Sequence, residues 1–131
     1  MKEEKNVDND RFKTLLIAED NESNFLLLEA LLKRDYILIH ALDGRDAIQK
    51  FKHYTPDLIL MDIKMPYMDG LTATRQIRML NHYIPIIAIS AFAFPQDKEE
   101  AINAGCSDYV IKPINFLRLK QLLQKHLFSN S

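Results

Sequence analysis

Leu58-Ile59-Leu60-Met61-Asp62-Ile63-Lys64-Met65-Pro66 sets four apolar residues directly against an aspartate. The run has no period-2 alternation, so both of its faces need burial, the pattern of a central strand in a parallel sheet. Such a strand rarely ends in a carboxylate without a reason, because desolvating an unpaired ionised carboxylate is costly. Met65-Pro66 stops the strand and Asp69-Gly70 marks a turn. Asp62 is therefore expected at the carboxyl end of a buried strand, at the lip of a sheet, where open α/β sheets collect ligands and chemistry. A solvated aspartate capping a loop is the bland alternative on this stretch alone, and the flanking sequence decides between them.

Working outward, the pattern recurs. Thr14-Leu15-Leu16-Ile17-Ala18 is a second buried-strand run, ending in Glu19 and Asp20. Asn21 or Ser23 can cap the following helix, in which Phe25, Leu28 and Leu32, with Leu27 and Leu31, recur at helical spacing. Tyr36 to Ala41 reads as a strand. Asp43-Gly44 opens a helix with Ala47, Ile48 and Phe51 on its core face, and Pro56 stops it. After Asp62, Asp69 caps a helix over about Leu71 to Leu80. Ile84 to Ser90 is a strand, Pro95 to Ala104 a helix stopped by Gly105, and Asp108 to Ile111 a strand ending at Lys112-Pro113. Asn115 caps a last helix carrying Phe116, Leu119, Leu122, Leu123 and Leu127. Five strand–helix units in a row predict a parallel sheet with helices on both faces, joined by right-handed crossovers. The common doubly wound order for five strands is 2-1-3-4-5, which places strands 1 and 3 side by side at the switch point.

Bulk properties narrow the function classes. The 131 residues suit one domain. Residues 1–13 read as a polar lead-in or linker, 14–128 as the folded domain and 129–131 as a frayed tail. Seventeen basic and eighteen acidic residues give a formal charge of -1, with no bulk attraction to nucleic acid or membrane. A single cysteine, Cys106, excludes an intrachain disulfide, suits a reducing cytoplasm and is read as a buried small hydrophobe. No Cys/His cluster has zinc spacing, and His40, His53, His82 and His126 are expected to face solvent or loops. The first residues lack the apolar core of a signal peptide, and no apolar run reaches membrane-spanning length.

The strand ends then converge. Strand 1 delivers Glu19 and Asp20, strand 3 Asp62, strand 4 Ser90 and strand 5 Lys112. Gathered carboxylates repel, so either their proton affinities rise or a cation sits among them. All-oxygen ligation at an open site suits Mg²⁺ better than zinc. Metal, lysine, hydroxyl and an attacking carboxylate make up the equipment for handling a phosphoryl group.

Glu19-Asp20-Asn21, Met61-Asp62-x-x-Met65-Pro66-x-Met68-Asp69-Gly70, Ser90-Ala91, Ala104-Gly105 and Lys112-Pro113 together resemble the receiver domain of two-component response regulators, over about Thr14 to Leu127. The resemblance implies a flavodoxin-like (βα)5 three-layer sandwich. It implies that Asp62 is the phosphoacceptor, Asp20 a direct Mg²⁺ ligand, Glu19 its neighbour acting through water, and the Lys64 backbone carbonyl a further ligand. By the same likeness Ser90 is the switch hydroxyl, Tyr109 the switch aromatic and Lys112 the partner of the phosphoryl group. Lys64 and Phe92 flank the path of a hydrolytic water, and the peptide before Pro113 is cis. The implied donor is a histidine kinase or histidine phosphotransfer domain, and the implied output face is helix 4, strand 5 and helix 5. The domain is expected to be cytoplasmic, a monomer or weak dimer, and not an enzyme beyond self-catalysed phosphotransfer and autodephosphorylation. Asn24 and Asp69-Gly70-Leu71-Thr72-Ala73-Thr74-Arg75 with Ile77-Arg78 look most like receivers attached to hybrid sensor kinases, which would tether the domain to a membrane sensor.

Three alternatives compete. A flavin or nucleotide binder needs a Gly-rich loop after strand 1, where this chain has Glu19-Asp20-Asn21-Glu22 and only three glycines overall. A phosphatase of the haloacid dehalogenase type resembles Asp-x-Asp, but Lys64 stands at the second Asp. A degenerate receiver acting only as an interaction module ranks below the competent one, because every key position holds a competent residue.

Overall fold

The five apolar runs form β1 (Thr14–Ala18), β2 (Ile37–Ala41), β3 (Leu58–Asp62), β4 (Ile86–Ser90) and β5 (Asp108–Ile111). They alternate with α1 (Glu22–Leu32), α2 (Gly44–Tyr54), α3 (Gly70–Leu80), α4 (Pro95–Ala104) and α5 (Phe116–Phe128). The structure is a computed structural model and describes residues 12–128. Most of the 1–13 lead-in and all of the 129–131 tail lie outside the described residues. Every strand pair is parallel and the order is β2-β1-β3-β4-β5, the flavodoxin-like arrangement. No helix among the described residues is long and apolar enough to cross a membrane.

Alternation along each strand divides the core in two. Leu16, Ala18, Ile59, Met61, Ile86 and Ala88 face one way and pack with Ala47, Phe51, Ala73, Ile77 and Ala101, so α2, α3 and α4 cover that face. Leu15, Ile17, Leu58, Leu60, Ile87 and Ile89 face the other way, against Phe25, Leu28 and Leu32 of α1 and Leu119, Leu122 and Leu123 of α5. Each large side chain fully buried in this way contributes roughly 1.5–3 kcal/mol of transfer free energy. Leu27 of α1 is left exposed. A helix buries only one stripe against a sheet, and the stripe of Phe25, Leu28 and Leu32 fills it.

Caps fix the helix starts. Asn21, Asp43 and Asp69 accept from the backbone amides of Asn24, Asp46 and Thr72 at 2.9, 2.8 and 2.8 Å. The Asn115 side chain accepts from the Arg118 amide at 3.0 Å. Such caps contribute about 1 kcal/mol each. Two strands start later than their apolar runs. The Tyr36 amide still donates to Leu32 of α1, at 3.1 Å. The Ile84 amide donates to the Asn81 side chain at 2.9 Å, and Pro85 has no amide to give. Only the Pro85 carbonyl joins the ladder, accepting from Ile59 at 2.9 Å.

Candidate phosphoryl and metal site

The ladder delivers the polar residues to one edge. Register pairs Asp62 with Ile89 and Ser90 with Ile111, so β3, β4 and β5 end together. Past β1, the Glu19 amide continues the pairing by donating to the Ala41 carbonyl at 3.0 Å. Gly70 makes room behind Asp62: a Cβ there would lie 2.2 Å from the Asp62 carbonyl oxygen, so only glycine allows α3 to start this close.

Glu19 and Asp62 are 2% and 4% exposed, whereas the Asp20 side chain reaches solvent. Carboxylate oxygens of the three lie within 4.8 Å of one another. Lys112 crosses β4 to reach them, its Nζ 2.8 Å from Asp62 Oδ2 and 3.4 Å from Glu19 Oε1. The span from β5 to β3 is two strand spacings, about 9.6 Å, which calls for a long stem. The Lys64 amide donates to Asp62 Oδ1 at 3.2 Å, and the Asn21 amide to Glu19 Oε2 at 3.1 Å.

Electrostatics follow from this crowding. Burial pushes the Glu19 carboxyl up to about 7; the Asn21 amide pulls the other way and the Asp62 charge adds to the rise. Burial alone would lower the Lys112 ammonium, but its hydrogen bond to Asp62 and the two acidic charges outweigh it and raise the pKa. Three carboxyl groups against one lysine leave the cluster short of positive charge. A hard divalent cation with oxygen ligands fits that deficit. Glu19, Asp20 and Asp62 are close enough together to hold it.

Ser90 is 2% exposed, and its Oγ accepts from the Phe92 amide at 3.0 Å. Tyr109 is turned inward, its hydroxyl donating to the Phe92 carbonyl at 2.5 Å. The backbone of Phe92 therefore joins Ser90 to Tyr109. Phe92 is 40% exposed, with Lys64 Nζ 5.1 Å from its ring centroid, a cation–π contact. The Lys112–Pro113 peptide is cis. Beside the site an apolar groove of about 400 Å³ opens between Leu27 and Leu31 of α1 and Pro113-Ile114.

Three features escape a reading of sequence alone. His40, expected among the solvent-facing histidines, stacks on Phe25 with centroids 3.6 Å apart, and its Nε2 lies 2.7 Å from the Glu19 carbonyl oxygen. The available signal was positional, since the last residues of strand 2 border strand 1. His126 likewise pairs with Asp108 at 2.9 Å instead of facing solvent alone. The Phe92 backbone bridge carried no signal, because main-chain contacts are independent of residue type.

Residues 15–124 match the response regulator receiver domain family. Over 114 residues, 86% of this chain, the sequence is 38% identical to the transcriptional regulatory protein ZraR of Salmonella typhimurium, and spans about a quarter (26%) of that protein. It is 37% identical to the polar-differentiation response regulator DivK of Brucella anthropi, covering 88% of this chain and 96% of DivK. The receiver domain of the sensor histidine kinase PA1611 from Pseudomonas aeruginosa, with magnesium coordinated in its active-site cleft, superposes with a TM-score of 0.84 at 36% identity, covering 90% of this chain and 99% of that one. The receiver of Saccharomyces cerevisiae Ssk1, solved with the histidine phosphotransfer protein Ypd1, gives 0.84 at 28% identity over 89% and 90% of the two chains. With the family's fold and an acidic cluster at the ends of its central strands, the chain belongs to the response regulator receiver domains of two-component signalling.

Proposed function

We propose that the protein accepts a phosphoryl group onto Asp62 from the phosphohistidine of a histidine kinase or phosphotransfer domain, with Mg²⁺ present. The observation that carries this is Asp62 itself, a buried carboxylate at the sheet edge, 2.8 Å from Lys112 and within 4.8 Å of two further carboxylates. An Asp62 oxygen attacks phosphorus, the new O–P bond forms as the P–N bond breaks, and the imidazole nitrogen keeps the electron pair. Lys112 moves its charge onto a phosphoryl oxygen. Ser90 Oγ already accepts from the Phe92 amide, which leaves its hydroxyl hydrogen for a second phosphoryl oxygen. A bound Mg²⁺ supplies further neutralisation of the transferred group. The roles of Glu19, Asp20 and the Lys64 carbonyl as its holders are part of the proposal, as are Ser90 with Tyr109 as switch and Lys64 with Phe92 as tuners of phosphate lifetime.

The groove beside Leu27, Leu31 and Ile114, which Glu19 and Lys112 also line, gives a donor an apolar seat at the site. The likeness to the Ssk1 receiver, solved with Ypd1, supports a donor of that class. The output is carried by the face of α4, β5 and α5. A cytoplasmic setting, as a monomer or weak dimer and within a hybrid kinase, belongs to the same reading. The test is intact mass after incubation with acetyl phosphate and Mg²⁺. One phosphoryl adduct is expected on the wild type and none on Asp62→Asn. An adduct surviving Asp62→Asn removes the assignment, and an unmodified wild type leaves the degenerate interaction module.

A further inference from the structure

We infer that His40 is a positioning residue for the acidic loop, setting the backbone on which Glu19 and Asp20 present their carboxylates to the cation. The inference rests on the Mg²⁺-dependent reading above. His40 sits on β2 opposite Ile17 of β1. Its Nε2 is 2.7 Å from the Glu19 carbonyl, which has no hydrogen to give, so the ring must donate there and carry its proton on Nε2. The Glu19 amide is held by Ala41 at 3.0 Å. Both polar groups of the Glu19 backbone are thus tied to consecutive residues of one strand, at the point where the chain leaves the sheet.

The ring cannot drift. It lies flat on Phe25 of α1, with centroids 3.6 Å apart and an interplanar angle of 4°. Its own backbone is anchored from the far side: Lys50 Nζ donates to the His40 carbonyl at 2.6 Å and pairs with Asp46 at 3.2 Å. Asp46 also accepts from the Leu42 amide at 2.9 Å, holding the turn after β2. Next to this clamp, Asp20 borders an open cavity of about 380 Å³ in whose wall Phe25, His40 and Leu42 lie. A side chain that orients a ligand-bearing backbone tunes affinity without touching the ion, and loss of such partners typically costs about ten- to a hundredfold.

Two substitutions separate donation from packing. His40→Phe keeps an aromatic ring on Phe25 and removes the donor, and His40→Gln restores an N–H at similar reach without the ring. Mg²⁺ affinity is measured by calorimetry or amide shifts, beside the metal-free melting temperature. His40→Phe is expected to weaken Mg²⁺ binding about tenfold with little change in melting temperature, and His40→Gln to recover most of the affinity. Unchanged affinity in His40→Phe, or a loss that His40→Gln does not recover, overturns the inference. A wild type that binds no Mg²⁺ instead removes the functional reading beneath it. Ring nitrogen shifts of wild-type His40 give a check free of variants: a proton on Nε2 is expected, and an Nδ1–H tautomer overturns the donation.

Discussion

Glu19 and Asp20 are neighbours in sequence and opposites in environment. Glu19 is buried against Lys112 and the Asn21 amide, and Asp20 projects into solvent. A solvent-facing carboxylate with no partner among the described residues can give its oxygen wholly to a metal, whereas Glu19 already shares both of its own. Glu19→Ala is therefore expected to weaken Mg²⁺ by about tenfold and Asp20→Ala by more. Equal losses in calorimetry would reverse the assignment. Phe92 yields a second prediction at this scale. On the reading proposed above, its half-exposed ring, with Lys64 Nζ 5.1 Å from its centroid, covers the in-line approach of water to a phosphoryl group on Asp62. Phe92→Ala should shorten the phosphorylated lifetime by about tenfold at most, or on the order of 1 kcal/mol, since no catalytic group is added. The decay rate of phospho-Asp62 after donor removal measures it, and an unchanged or slower decay would make Phe92 part of a partner surface. Lys64→Ala has no assigned sign, because the lysine can shield the phosphoryl group or hold a water.

Elements carry the site only as well as their ends are pinned, and β5 is pinned at both. Lys112 extends from its carboxyl end. At its start, Asp108 meets His126 at 2.9 Å and Lys125 at 3.5 Å, tying the edge strand to the last turn of α5. Burial alone would raise the Asp108 carboxyl, but the His126 hydrogen bond and the Lys125 charge outweigh it and hold it below its ordinary value of 3.8. A depressed folded-state pKa means that the unfolded chain binds the proton more readily. The contact therefore stabilises above the ordinary value, and that stability is lost as pH falls through the lowered one. Urea midpoints between about pH 6 and 3 should show Asp108→Asn less stable near neutrality by on the order of 1 kcal/mol, with the gap narrowing on acidification. A gap that widens would refute the tie. This pairing was illegible in sequence, because it joins a strand start to a helix end, and periodicity says nothing of partners across elements. The strands themselves were legible because burial on both faces leaves an unbroken apolar signature, as in Leu58–Met61. The helix starts were legible because Asn21, Asp43, Asp69 and Asn115 satisfy amides three residues on, a purely local event.

At the scale of the molecule, the parallel order turns separate strand ends into one device. Glu19 and Asp62 come from the two central strands, and Ser90 and Lys112 from strands progressively nearer the edge, so a charge arriving at Asp62 is felt across half the sheet. The path outward is short: Ser90 Oγ to the Phe92 amide, and the Phe92 carbonyl to the Tyr109 hydroxyl. Tyr109 is turned inward and holds the stretch between β4 and α4 through this bond. On the reading proposed above, the Ser90 hydroxyl turns toward phosphate, the contacts of Tyr109 change with it, and α4 and β5 are expected to respond as a change of population between two packings. Amide shifts with and without beryllofluoride, a phosphoryl mimic, should change around Asp62 and also through α4, β5 and α5. Tyr109→Phe keeps the ring and removes the latch, and should reduce the changes in α4 while leaving those around Asp62 intact. Shifts confined to the loops about Asp62 in the wild type, with α4 silent, would separate Tyr109 from signalling and leave it to core packing.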